Sequence, residues 1–275
     1  MRPRSSRSSS SSARCQGARE GAPLRYRATV EYDGTDFAGF QFQPDARTVQ
    51  GELETVLARL DEGTRHRVDG AGRTDAGVHA TGQVIAFTWT GRLGADELAG
   101  AIDALLPPDV AIGDLRRVPP GWHPRYAARY REYRYTVWNG PRSPLRERTA
   151  LGVRDPLDTD AMARAGSALV GRHDFSAFGS SDRQPVRTVH AVRVRRAGQL
   201  VTIDVRADAF LRGMVRRIVA GLLEVGRGQL AESAVAAALT SRRPALNGAK
   251  APARGLCLRR VALGRPMGQA SGDDE

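Results

Sequence analysis

Lysine is almost missing from this chain. Lys250 is the only one in 275 residues, so arginine makes up nearly all of the 42 basic side chains, and the formal charge is +12. A preference for arginine over lysine reflects no more than the base composition of a genome. A surplus of bases over acids has no such origin and points to a polyanionic partner. Cysteine is also scarce: Cys15 and Cys257 sit far apart, which excludes a disulfide framework and suits a reducing compartment. No apolar run is long enough to span a membrane, and no apolar segment follows the basic start as in a secretion signal. The expectation is a soluble, cytoplasmic protein. The histidines at 66, 79, 123, 173 and 190 are scattered, and no Cys/His spacing matches a zinc site.

Residues 1–24 contain an unbroken Ser8 to Ser12, five arginines and one glutamate, with no apolar period. They are expected to form a disordered basic arm. The last three residues are acidic, so most of the positive excess belongs to the folded part, and 266–275 is expected to be a flexible tail.

Two α/β domains are expected between these ends, at 25–125 and 126–265. In the first, Tyr26, Ala28, Val30 and Tyr32 alternate with polar residues as in a half-buried strand. Val49, Leu53, Val56, Leu57 and Leu60 recur at helical spacing over 48–60. A second helix is predicted over 95–106, ended by Pro107-Pro108, and a strand over 110–118. In the second domain a strand is predicted over 126–138 and a helix over 158–170, capped by Asp158 and stopped at Gly171. A hairpin of 189–196 and 200–207 turns at Ala197-Gly198-Gln199. A helix over 210–225 places Phe210, Met214, Ile218 and Leu222 in one row; a short helix over 230–239 and a strand over 256–261 close the chain.

The stretch Gly70 to Gln83 packs four glycines and a carboxylate into a segment unfit for a regular helix, just before the strand-like Val84 to Trp89. In an extended loop Arg73 and Asp75 would point the same way, with the guanidinium holding the carboxylate in its charged form. Alternatively Asp75 closes an Asx-turn and Arg73 is merely solvated. A phosphate cradle fits badly, because no Gly-Lys-Ser/Thr ending follows. On the predicted strand over 126–138, Arg131, Tyr133, Tyr135 and Val137 share one face. That face reads either as a platform for stacking a base or as cross-strand packing, the second preferred for Tyr135. Arg212, Arg216 and Arg217 break the apolar row of the helix over 210–225 and read, alone, as a solvated basic face.

The run Gly70-Ala-Gly-Arg-Thr-Asp75-Ala-Gly-Val-His79 resembles the signature loop of the tRNA pseudouridine synthase A family. Arg131-Glu-Tyr133-Arg-Tyr135 is similar to that family's tyrosine-bearing strand, and Asp174 to Phe178 to a further family segment. Phe210-Leu-Arg-Gly-Met-Val-Arg216-Arg-Ile resembles its Met-Val-Arg helix, with Arg217 where asparagine is frequent. The resemblance runs from Arg25 to about Leu263. It implies an α+β fold of two ferredoxin-like pseudo-repeats around a central, mostly antiparallel sheet. It implies an isomerase that makes pseudouridine at positions 38, 39 and 40 of the tRNA anticodon arm, working as a homodimer. Asp75 would be the catalytic nucleophile, with Tyr133, Arg73 and Arg216 binding substrate. The reaction neither oxidises nor hydrolyses anything, so no cofactor and no metal are expected. A non-catalytic RNA-binding module and a base-excising glycosylase are the competing classes, separated by whether the RNA is changed and whether free uracil is released.

Overall fold

The computed structural model describes residues 22–179, 184–243 and 248–264. The expected tail at 266–275 lies outside the described residues. So does the expected arm, apart from 22–24, of which Leu24 already opens the first strand.

The first half runs β1 (Leu24–Tyr32), α1 (Val49–Leu60), β2 (Asp69–Gly70), β3 (His79–Trp89), α2 (Ala95–Leu105) and β4 (Val110–Val118). The alternation in β1 buries Tyr26, Ala28, Val30 and Tyr32. Thr48 starts α1 by accepting the Gly51 N–H, and Val49, Leu53, Val56 and Leu57 form its buried stripe. A short helix α3 (Pro124–Ala127) leads into the second half. There follow β5 (Ala128–Asn139), β6 (Leu151–Val153), α4 (Thr159–Ser167), β7 (Gly171–Asp174), β8 (Val186–Ala197), β9 (Leu200–Ala207), α5 (Met214–Gly226), α6 (Glu232–Ser241) and β10 (Leu256–Leu263).

The ten strands of the described residues join one sheet in the order β4-β1-β3-β10-β5-β9-β8-β7, with β2 alongside β3 and β6 alongside β5. The fold is α+β. The first half has the antiparallel order β4-β1-β3-β2, and the second repeats it as β10-β5-β9-β8. A two-residue parallel pairing, Cys257 with His79 and Leu258 with Ala80, joins the halves. This seam is tight enough to demand glycine at 82, where a Cβ would lie 2.4 Å from the Arg259 carbonyl oxygen. In β5, Arg131, Tyr133, Tyr135 and Val137 face the core. On its other face Glu132 and Arg134 lie directly across from Arg206 and Asp204 of β9 and pair with them.

Several boundaries differ from the pattern reading. β3 begins at His79 rather than Val84, because the small residues Ala80 to Gly82 allow pairing right up to the seam. The strand expected from Tyr126 starts at Ala128, since Pro124 at the first helical position sets up a short turn. Asp158 caps α4 by accepting the N–H groups of Asp160 and Ala161, yet the helix stops at Ser167 and Gly171, at φ +120°, opens β7. The helix expected from Phe210 begins at Met214, because Gly213 adopts φ +73°. Phe210 and Arg212 therefore sit in the turn before α5.

Candidate active site

The loop between β2, which pairs with Ile85 and Ala86 of β3, and His79 at the seam is pinned by its own side chains and neighbours. Inside, the Tyr32 hydroxyl and the Thr74 hydroxyl share a hydrogen bond of 2.7 Å, and the Gln83 amide donates to the Gly72 carbonyl at 2.8 Å. The Phe40 N–H donates to the Thr74 carbonyl at 3.1 Å, an approach possible because Gly39, at φ +111°, has no side chain to meet that oxygen. His79 accepts from the Gly34 N–H and donates through Nε2 to the Arg254 carbonyl, tying the end of the loop to the second half. Asp75 stands at the tip. The turn there is closed by backbone alone, from the Val78 N–H to the Asp75 carbonyl oxygen at 3.2 Å, with Gly77 at φ +74°.

The Asp75 carboxylate thus closes no Asx-turn, in contrast to Asp33, whose Oδ1 accepts the Thr35 N–H. Among the described residues neither Asp75 oxygen accepts a hydrogen bond. The side chain is about a quarter exposed, with Arg216 Nη1 at 3.5 Å from Oδ2 and Arg212 Nε at 3.8 Å from Oδ1. Arg216 projects from α5 and is anchored: its Nε donates to the Ala251 carbonyl at 2.7 Å, while its own carbonyl accepts the Ala251 N–H at 3.0 Å. Arg217 reaches the carbonyls of Gly248, Phe178 and Arg212, thereby holding the turn before α5 to the Asp174–Phe178 segment. Burial lowers its pKa, with Asp75 pulling the other way.

Tyr133 of β5 packs edge-on against Phe210 with ring centroids 5.1 Å apart. Burial pushes its phenol well above the ordinary range; the Arg131 cation opposes that shift and the Asp75 carboxylate adds to it. Tyr133 therefore remains a neutral O–H, and among the described residues that hydroxyl has no hydrogen-bond partner. Tyr135, in contrast, donates its hydroxyl to the Pro252 carbonyl.

The structure thus brings Asp75, Arg216 and Tyr133 together and departs from the reading of Arg73. That side chain is exposed and makes no ion pair with Asp75 among the described residues. The loop is a turn rather than an extended strand, so the two-residue alternation that would have paired them does not hold. The stacking platform on β5 is also corrected: Tyr133 is only 8% exposed and Tyr135 fully buried, so neither ring face lies open.

Two arginines matter more than the sequence suggested. Arg212 reaches Asp75 because it precedes the helix instead of lying on its solvated face. Arg131 is 8% exposed, and burial depresses its pKa. Its guanidinium donates to the carbonyls of Ala71, Arg125 and Asp208, at 2.7, 3.1 and 2.8 Å. It thus ties the signature loop to the segment leading into α5. The signal for it was an arginine at an apolar position of a strand. Arg131→Met, which leaves three carbonyls without their donor, is expected to cost about 3 kcal/mol. A thermal melt should fall by roughly 10 °C, whereas an unchanged melt would show that the clamp carries no weight.

Among the described residues no three His, Cys, Asp or Glu side chains gather as a metal cage, and no helix is long and apolar enough to cross a membrane.

A family model described as tRNA pseudouridine synthase matches residues 28–127 and 165–262. Asp75 falls in the first stretch and Arg216 in the second; Tyr133 lies between them. The tRNA pseudouridine synthase A of Pelobacter propionicus is 42% identical over 240 residues, 86% of this chain and 98% of that protein. The protein of the same name from Moorella thermoacetica is 44% identical over 242 residues, again 86% and 98%. That from Myxococcus xanthus is 43% identical over 242 residues, 86% and 91%.

Proposed function

The chain belongs to the tRNA pseudouridine synthase family, and from that premise we propose that it converts uridines 38, 39 and 40 of the anticodon arm to pseudouridine, with Asp75 as nucleophile. It is an isomerase acting on uridine in tRNA. The observation that carries the assignment of Asp75 is its open carboxylate, held by the charge of Arg216 and Arg212 and engaged in no turn.

The reaction breaks the bond from C1′ to N1 of uracil, turns the base, and joins C1′ to C5, whose hydrogen is then lost as N1 gains one. Cleavage builds positive charge at the sugar, and a carboxylate with free lone pairs meets it. The target must first leave its stack, at a cost of a few kcal/mol. In this reading Tyr133 offers its unengaged hydroxyl to the extruded uridine. Arg216 holds the Asp75 carboxylate in place through its charge, 3.5 Å away, and exposed Arg73 engages the RNA. A cytoplasmic homodimer completes the proposal.

Because arginines displace counterions from phosphates, binding of the anticodon arm is expected to weaken steeply with salt, by roughly a factor of ten or more between 50 and 200 mM. A nearly flat log–log plot would contradict an interface built on charge. The positions are tested by mapping pseudouridine in tRNA from cells lacking this chain. The modification should vanish at 38, 39 and 40 and return on re-expression; an unchanged map overturns the proposal.

A further inference from the structure

Beyond the catalytic loop, the end of β5 and the segment after it enclose a cavity of about 190 Å³ whose walls include Trp138, Arg142, Arg146, Glu147, Arg154 and Arg254. Four guanidiniums face one carboxylate. Glu147 stands 3.8 Å from Arg142 and 3.7 Å from Arg254, too far for a good hydrogen bond, so it offsets their charge without occupying their donors. Arg146 lies over the Trp138 ring at 5.2 Å, and among the described residues neither Arg146 nor Arg154 pairs with a carboxylate. Crowding cations around a concavity is unfavourable unless an anion enters it. The planar fork of arginine suits phosphate oxygens in particular.

The cavity adjoins the site through the turn Ala253–Gly255. The Arg254 carbonyl accepts the His79 ring N–H at 3.1 Å, and the Ala253 Cβ is the nearest atom to where a Cβ on Gly77 would stand. We propose that this cavity is a backbone-phosphate subsite, in which Arg142, Arg146, Arg154 and Arg254 grip a phosphodiester of the RNA whose uridine is presented to Asp75. This rests on the reading of the chain as an RNA-modifying enzyme. Phosphate contacts of this kind set register rather than sequence.

The test compares wild type, the Arg146→Gln/Arg154→Gln double variant, Glu147→Gln, and Arg116→Gln on the far edge strand β4, using an anticodon stem-loop and thermal melts of each. The double variant is expected to raise Kd and KM about tenfold, leave kcat within about twofold, and lower the slope of log K against log salt by roughly one. Glu147→Gln, which removes the one carboxylate lining the cavity among the described residues, is expected to tighten binding a few-fold. Unchanged KM and slope in a well-folded double variant would overturn the subsite. So would an equal effect from Arg116→Gln, which would make the loss one of general charge. Inorganic phosphate that binds wild type and not the double variant, with RNA binding unaffected, would assign the cavity to a free anion and also overturn it. Wild type that binds the stem-loop but forms no pseudouridine contradicts the proposed reaction alone, while absence of any RNA affinity contradicts both.

Discussion

Asp75→Asn is expected to lower pseudouridine formation by roughly four orders of magnitude or more, the scale on which removal of a nucleophile acts, while leaving the fold and the affinity for RNA nearly unchanged. The expectation follows from what the carboxylate touches. Its oxygens accept no hydrogen bond among the described residues, and its two ion pairs, at 3.5 and 3.8 Å, are partly exposed. Pairs of that kind contribute at most about 1 kcal/mol, so a melt should move by only a few degrees. The turn at Asp75 is closed by the backbone and by Gly77, both of which asparagine leaves intact. In the proposed reaction, what asparagine removes is the charge that meets the breaking C1′ to N1 bond, an interaction made in the transition state and not in the ground state. Affinity should stay within about threefold, tending tighter because a negative charge facing RNA has gone. Substantial turnover by a well-folded variant would show that Asp75 only shapes its loop.

The second large effect is expected at Arg216. Its guanidinium spans two groups, the Ala251 carbonyl through Nε and Asp75 through Nη1. Arg216→Gln should therefore reduce kcat by about a hundredfold to a thousandfold, with KM altered little, because the cation acts on the carboxylate and not on the bulk of the RNA. Arg216→Lys retains charge but cannot span both groups, and should fall between the two. Arg212, 81% exposed and further from Asp75, should matter less when changed to glutamine. A rise in KM at constant kcat for Arg216→Gln would move that residue from the chemistry to RNA binding.

How much of this was readable beforehand varied with the range of the interaction. The buried stripe of α1 and the alternation of β1 and β5 follow from local periodicity, and Asp158 announces its helix through hydrogen bonds to residues two and three places on. The loop around Asp75 stood out because four glycines and a carboxylate have few other uses. Its internal geometry did not, since Arg73 and Asp75 are set apart in a loop held at the Thr74 carbonyl by Gly39 and Phe40, more than thirty positions earlier. The break at Gly213 was likewise hidden by an apolar row that continued through it, so Arg212 looked like part of a solvated face. Arg131 shows the same limit. Nothing local says that its three acceptors, Ala71, Arg125 and Asp208, come from segments up to 77 residues away.

The most direct measurement uses an anticodon stem-loop carrying tritium at C5 of its target uridines, incubated with the purified wild-type chain. Rejoining C1′ through C5 displaces that hydrogen. The account predicts one tritium released to water for each pseudouridine formed, with no free uracil and no added metal or nucleotide. Release of uracil, or pseudouridine-free RNA that retains its tritium, would contradict it.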